Sequence, residues 1–284
     1  MRKTLFLLAA TLLLSTTMCS HSDETTPSPA GKLVIIGGGA KPDIILNTMV
    51  DLAGIITNGY LFVLPMASSL PDSAIIWAKE DFAKIGLTRV TGYSFISGEP
   101  MPTEKLDSLR NAKLIFISGG DQSRFMDAVN GTPALEALKE AFANGAVIAG
   151  TSAGAAVMGR KMITGNQLRH PDADGGFTTI ESQNIEIAPA LGFLPDVLID
   201  QHFIKRQRLN RLIAASLENT EQLCVGIDEA TAIVVDGDYA TVVGLSQVVV
   251  LRNKLKVTNT NDSLLGTESL ELSLYLPGDR FRLR

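Results

Sequence analysis

Three times along this chain a short run of aliphatic residues ends in glycines. Lys32-Leu33-Val34-Ile35-Ile36 runs into Gly37-Gly38-Gly39, and Lys113-Leu114-Ile115-Phe116-Ile117 runs into Ser118-Gly119-Gly120. Ala146-Val147-Ile148-Ala149 runs into Gly150-Thr151-Ser152-Ala153-Gly154. Runs of this length, rich in β-branched residues and closed by turn residues, read as strands buried on both faces. Helical patterns lie between them. Pro42-Asp43 opens one helix, with Ile45, Met49, Leu52 and Ala53 on its inner face and Gly54 after it. Pro71 opens a second, closed by Gly86, and Thr132-Pro133 opens a third over 133–144, closed by Gly145. Proline at the start and glycine past the end are the ordinary signals of helix termini. Weaker or later strands are expected at 61–64, 88–93 and 195–199. Strand alternating with helix predicts an α/β domain with a mostly parallel sheet covered on both faces. In such sheets ligands bind beyond the carboxyl ends of the strands, so the three glycine turns are expected around one crevice.

The third turn carries chemistry. Gly150-Thr151-Ser152-Ala153-Gly154 is a Gly-x-Ser-x-Gly pattern between an apolar run and a small-residue run, Ala155-Ala156-Val157-Met158. That is the strand–turn–helix setting of a nucleophile elbow, which pushes a serine hydroxyl out of a sharp turn. A small-residue packing turn is the plain alternative. The first turn, Gly37-Gly38-Gly39-Ala40-Lys41-Pro42, does not supply Gly-x-Gly-x-x-Gly. It is expected to line the cleft without binding a dinucleotide.

A serine hydroxyl needs a base. The chain has three histidines. His21 lies in a polar stretch near the start, and His170 in a Pro/Asp/Gly-rich loop. His202 follows a buried strand and is the expected base. Glu181, Glu186, Asp200 and Glu229 are the candidates for the carboxylate that would orient it, and the sequence leaves the choice open. Lys205-Arg206-Gln207-Arg208-Leu209-Asn210-Arg211 follows His202 directly. A helix from about 205 to 218 would carry these arginines on its surface, where their guanidinium forks suit a carboxylate. An acidic peptide substrate is therefore expected.

Other classes are set aside by composition. Net charge is −5, and no Lys/Arg block exists outside residues 205–211, so no nucleic-acid partner is expected. Cys19 and Cys224 are the only cysteines, and no Cys/His cluster suggests a metal site. Cys224, inside Leu223-Cys224-Val225-Gly226-Ile227, reads as a small core residue. Residues 1–19 have a basic start and an apolar run of about ten residues, which reads as a signal peptide rather than a membrane span. Cys19 at the end of that run suggests a lipid anchor. Met18 is larger than the residue that usually precedes an acylated cysteine, so ordinary cleavage is the alternative. Residues 20–31 read as a disordered tether, and 32–284 as the folded domain. Export to the periplasm or cell surface follows from this reading. The stretch 159–192 is expected to be a long, loop-rich connection.

Four motifs together carry a family resemblance. They are Gly119-Gly120-Asp121-Gln122, Gly150-Thr151-Ser152-Ala153-Gly154-Ala155, Asp200-Gln201-His202-Phe203 with Arg206, Arg208 and Arg211, and Gly226-Ile227-Asp228-Glu229-Ala230-Thr231-Ala232. In this order, over roughly residues 32–252, they resemble the cyanophycinase branch of the serine peptidase family that also contains the α-aspartyl dipeptidases. The resemblance implies a flavodoxin-like fold related to class I glutamine amidotransferases, a three-layer sandwich. It implies Ser152 as nucleophile, His202 as base and Glu229 as the third member, with an oxyanion hole from the Gly120 and Ala153 amides. It implies a substrate pocket of Asp121, Gln122, Asp200, Gln201, Arg206, Arg208 and Arg211. The implied substrates are β-Asp–Arg polymer or aspartyl and isoaspartyl peptides. No cofactor or metal is implied, and a homodimer is. Loop 165–184 lies outside the resemblance. The rival readings are a catalytically silent exported binder of acidic peptides and an α/β-hydrolase esterase.

Overall fold

The computed structural model describes residues 31–173, 176–256 and 258–284. The expected signal peptide, Cys19, His21 and nearly all of the tether lie outside these residues.

The first half alternates as its sequence pattern requires. Strand β1 (Lys32–Ile36) leads to helix α1 (Asp43–Ala53), β2 (Leu61–Leu64) to α2 (Pro71–Lys84), and β3 (Val90–Gly92) to α3 (Thr103–Arg110). Then come β4 (Leu114–Ile117), α4 (Gln122–Val129), α5 (Pro133–Ala143), β5 (Val147–Thr151) and the one-turn α6 (Ala153–Ala156). The second half holds β6 (Lys161–Gln167), β7 (Ile185–Pro189), β8 (Val197–Gln201), α7 (Leu209–Glu218) and β9 (Leu223–Ile227). It ends with β10 (Thr231–Asp236), β11 (Tyr239–Gly244), β12 (Val248–Arg252), β13 (Asn259–Asn261), β14 (Leu264–Gly266), β15 (Glu271–Tyr275) and β16 (Arg280–Arg282).

The main sheet has the order β16-β11-β10-β1-β5-β4-β2-β3. Its β1, β5, β4, β2 and β3 are parallel, and β10, β11 and β16 extend it antiparallel. Alternate residues of each parallel strand serve opposite faces. Val34, Ile36, Leu61, Val63, Leu114 and Phe116 pack with Ile45, Met49 and Phe82 of α1 and α2. Leu33, Ile35, Phe62, Ile115 and Ile148 pack instead with Leu109, Phe125 and Leu138 of α3, α4 and α5.

The sequence pattern does not separate the strands into two sheets, but the structure does. A second sheet, β15-β12-β9-β8, holds β8 and β9 parallel. One of its faces, through Ile199, Val225, Val248 and Val250, joins the core shared with the main sheet. Its other face, through Leu198, Cys224, Val249 and Leu251, packs on Leu212 and Ala215 of α7. Cys224 is buried there, and burial pushes its thiol up to about 12.

Four further expectations change. The helix expected after the serine is only a single turn. The stretch 159–192 contains the antiparallel pair β6·β7, whose strands Gly165-Asn166 and the polar insert disguised. Residues 203–208 are turns, and the helix starts only at Leu209. Helix α3 has only Leu106 and Leu109 as buried apolar positions, and the eight-residue α4 starts directly from the second glycine turn, so neither was read from the sequence.

Candidate active site

Three chain ends meet where the two sheets join. Ser152 follows β5 of the main sheet, His202 follows β8 of the second sheet, and Glu229 lies in the crossing from β9 to β10. The Gly37-Gly38 backbone ties them. Gly37 donates to Thr231 O (2.9 Å) and accepts from the His202 amide (2.7 Å), while Gly38 O accepts from the Ala230 amide (2.9 Å). The Ser152 amide donates to Ile36 O (3.0 Å). The glycines are needed for close approach: a Cβ on Gly38 would stand 2.3 Å from the His202 ring. The first glycine turn is thus a platform under the imidazole and not a phosphate cradle.

Ser152 has φ 54° and ψ −110°. This is a strained conformation for a residue with a Cβ, costing on the order of 1–3 kcal/mol. The elbow forces it, because Gly150 and Gly154 pass so closely that a Cβ on Gly150 would lie 2.2 Å from Gly154 O. His202 (φ 50°) and Ala230 (φ 52°) share the left-handed region. Three such residues next to one another point to a functional site.

The side chains form a relay. Ser152 Oγ lies 2.8 Å from His202 Nε2, and His202 Nδ1 lies 2.7 Å from Glu229 Oε1. With Nδ1–H donating to the carboxylate, Nε2 is left to accept from the hydroxyl. His202 is buried. Desolvation holds its pKa below the ordinary histidine value, with Arg206 and Arg208 pushing the same way and Glu229 opposing. The imidazole is therefore neutral at neutral pH, as a base must be.

The other carboxylates are engaged elsewhere. Glu181 lies 2.7 Å from His170 Nε2. Glu186 accepts from Thr164 Oγ1 (2.6 Å) and Asn166 Nδ2 (2.8 Å). Asp200 is buried and bound through both oxygens by Arg211, whose Nε donates to Oδ2 at 2.9 Å. Only Glu229 of the four reaches His202.

The second glycine turn faces the serine. A Cβ on Gly119 would stand 3.3 Å from Ser152 Cβ. Among the described residues, neither the Gly120 nor the Ala153 amide donates to a protein acceptor. Gly120 has φ 137°, and any Cβ there would strike Ala67 O at 2.1 Å.

The expected pocket residues divide. Asp121 caps α4, its Oδ1 accepting from the Ser123 (2.8 Å) and Arg124 (3.1 Å) amides. Gln122 is buried and ties α4 to β6, its Nε2 donating to Ile163 O (2.8 Å) and to Thr164 O. Arg211 is consumed by Asp200, so the expectation of three arginines free on one helix surface is corrected. Arg208 Nη1 donates to Gln201 O (2.7 Å) and Gln201 Oε1 (2.8 Å). Burial and the nearby Arg211 hold its pKa down to about 10. Arg206 is exposed. The three arginines, with Gly165, Gly176, Phe177 and Gln207, line a cavity of about 240 Å³.

Asp228 was not singled out by the sequence motifs. It accepts from the Lys205 amide (2.9 Å) and Ser246 Oγ (2.7 Å), so it pins the turn that carries Arg206 and Arg208. Its place in the Gly226–Ala232 motif, beside Glu229, is the signal that could have found it.

The geometry agrees with what known proteins offer. Residues 33–243 match the family model of peptidase family S51. The chain is 32% identical over 273 residues to a cyanophycinase of Nostoc sp., covering 91% of this chain and 88% of that one. It is 34% identical over 279 residues to a cyanophycinase of Synechococcus elongatus, covering 92% and 83%. In fold it is similar to a peptidase from an acI-B1 actinobacterium (TM-score 0.64, 20% identity, 89% of this chain and 96% of that one). It is similar also to a peptidase E-type protein of Listeria monocytogenes (TM-score 0.52, 17% identity, 76% and 99%). The mostly parallel, helix-flanked sheet is accordingly of the flavodoxin-like, class I glutamine amidotransferase-like kind. With a serine presented at a strained elbow and family similarity along most of its length, the chain belongs to peptidase family S51 and is a serine-type peptidase.

Proposed function

We propose that this chain is an exported peptidase that cleaves bonds next to aspartate through a Ser152–His202–Glu229 mechanism. The observation that carries the reading is the unbroken relay from Ser152 Oγ through His202 to Glu229. His202 Nε2 takes the hydroxyl proton as Oγ attacks the scissile carbonyl. The oxyanion sits on the Gly120 and Ala153 amides. Collapse breaks the C–N bond, and His202 returns the proton to the leaving amine. Water then repeats the sequence on the ester, giving its proton to His202, and Ser152 is regenerated. Glu229 keeps the imidazole in the right tautomer and steadies its cationic form.

Arg206 and Arg208 hold the aspartyl carboxylate, while Arg211 supports them from its pair with Asp200. An uncharged asparagine in that place would leave guanidinium groups unpaired, which is the basis of discrimination. The names of the relatives support a β-Asp–Arg polymer or aspartyl and isoaspartyl peptides as substrates. Export by residues 1–19, anchoring through Cys19 and a homodimeric state complete the reading; cell fractionation with and without Cys19→Ala, and sedimentation of the folded domain, read these directly.

The deciding experiment is hydrolysis of β-Asp–Arg polymer beside a panel of Asp-X and isoaspartyl dipeptides, by wild type and Ser152→Ala. Product released by wild type and lost in the variant, by about 10⁶-fold in kcat on the scale of serine peptidases, is the expected result. Turnover that survives Ser152→Ala, or no turnover on any acidic substrate, overturns it.

A further inference from the structure

We propose that Phe177, held in place by Asn210, is the specificity-determining roof of the arginine pocket. The inference rests on the reading of that pocket as the acceptor of a substrate carboxylate. Phe177 belongs to loop 165–184, which lies outside the motifs that carry the family resemblance. The structure nevertheless brings Gly176 and Phe177 of this loop to the cations. Phe177 and Gly176 line the cavity together with Arg206, Arg208 and Arg211. The Phe177 ring lies under the Arg211 guanidinium, 5.7 Å from ring centroid to carbon. Its other contacts reach the apolar cluster of α7 and the second sheet.

Asn210 fixes this arrangement. It precedes Arg211 on α7, and its Nδ2 donates to Phe177 O (3.1 Å) and Thr178 O (3.3 Å). The helix that carries the buried cation therefore also carries the peg for the roof. The following residues are tied down as well. Leu265 donates to Ile180 O (3.0 Å), Ser182 donates to Ser263 O (2.8 Å), and Gln183 donates to Glu218 Oε1 (2.6 Å). Opposite the roof, Gly165 (φ 104°) leaves the wall bare: a Cβ there would come no nearer than 4.0 Å to Arg211 Nη1 and Gln122 Nε2. The result is a small slot in which the Phe177 ring stacks on the Arg211 guanidinium, with Arg206 and Arg208 lining the same cavity.

The physical effect of the roof is to keep water off the cations. A carboxylate–guanidinium contact strengthens as its surroundings lose solvent. The ring also fixes Arg211, and through Asp200 the neighbouring Gln201 and Arg208, by a cation–π contact that is worth more when desolvated. Phe177 and Asn210 touch neither Ser152 nor His202, so their loss falls on binding of the acidic group and not on the chemical step.

The test uses the folded protein with Phe177→Ala, Asn210→Ala and Phe177→Tyr. Calorimetry gives the Kd of succinate, a plain dicarboxylate, and kinetics on an Asp-X or β-Asp–Arg substrate gives KM and kcat. Labelling of Ser152 by a fluorophosphonate reports that the centre is intact. The expected result is a rise of about tenfold in succinate Kd and in KM for the two alanine variants. kcat and labelling rate stay within about twofold, and Phe177→Tyr restores wild-type values. Unchanged Kd and KM in Phe177→Ala overturn the proposal, as does a joint fall of kcat, labelling and Tm with KM unmoved. Wild-type protein that does not bind succinate overturns it too. Wild type that binds succinate but cleaves no acidic substrate overturns instead the functional reading, and the Kd series still decides the roof.

Discussion

Two histidine–glutamate pairs in this molecule have the same separation and different surroundings. His202 and Glu229 meet at 2.7 Å, and so do His170 and Glu181. His202 is buried at the junction of two sheets, with Ser152 on its other nitrogen and a backbone in the left-handed region. His170 is exposed on a loop, and its Nε2 is spent on the carboxylate itself. In the first pair burial dominates and lowers the histidine pKa against the pull of the glutamate. In the second, the hydrogen bond from His170 is the chief cause that holds Glu181 below the usual carboxylate range. The same two residue types make a buried imidazole facing a serine in one place and a surface tie in the other. The distance is common to both; the desolvation, the third partner and the backbone strain are not.

The largest contrast should come from the carboxylates. Glu229→Gln keeps the shape but removes the charge and the tautomer control, so kcat should fall by about 10⁴-fold. Glu181→Gln should leave kcat unchanged; equal losses in the two variants, measured on one substrate, would dissolve the distinction.

Next in size is the platform. Gly38→Ala places a methyl group where the His202 ring now lies. The imidazole must move, and a displacement of about 1 Å at a reacting group costs on the order of 10²-fold. The check is kcat/KM beside Tm: a large activity loss is expected, and wild-type activity would show that the approach of Gly38 to the ring is not needed.

The pH profile is the third test. Because the folded environment lowers the His202 pKa, the neutral base persists below the ordinary histidine range. The acid limb of kcat/KM should therefore lie below pH 6.5, the unperturbed value. Arg206→Gln removes one of the causes that lower it, so the limb should move up. A limb above 6.5, or one that moves down in Arg206→Gln, contradicts the burial account. The smallest effect belongs to His170→Ala. Its loop also carries Phe177, so a change in KM of less than about threefold is expected, with kcat unaltered. A kcat loss beyond that would join the second pair to the first.

How far each part could be read in advance follows from the range of the interactions behind it. The elbow was legible because a strained serine needs Gly150 and Gly154 beside it, and that is a local demand. His202 was legible by elimination among three histidines and by its place after a buried strand. The residues alone left the carboxylate open among Glu181, Glu186, Asp200 and Glu229, which look alike until their partners are known; Glu229 came only with the family resemblance. The arginines show the same limit more sharply. Their charges suggested a free anion site, yet Arg211 is locked to Asp200 and Arg208 is partly bound by Gln201. Asp121, expected in the pocket, also has a structural task as the cap of α4.

By itself, the sequence determined the parallel core from β1 to β5, the glycine turns at the strand ends and the serine at the sharpest of them. Period-two burial, helix-terminal residues and tight turns are short-range requirements written into neighbouring positions. The tertiary structure alone decided that β8, β9, β12 and β15 leave the main sheet for a second one. It therefore decided that serine, histidine and glutamate arrive from opposite sides of a junction, and that Phe177 stands against the arginines. Those choices depend on which apolar faces are buried against each other, and residues far apart in the chain settle that only when the whole core packs.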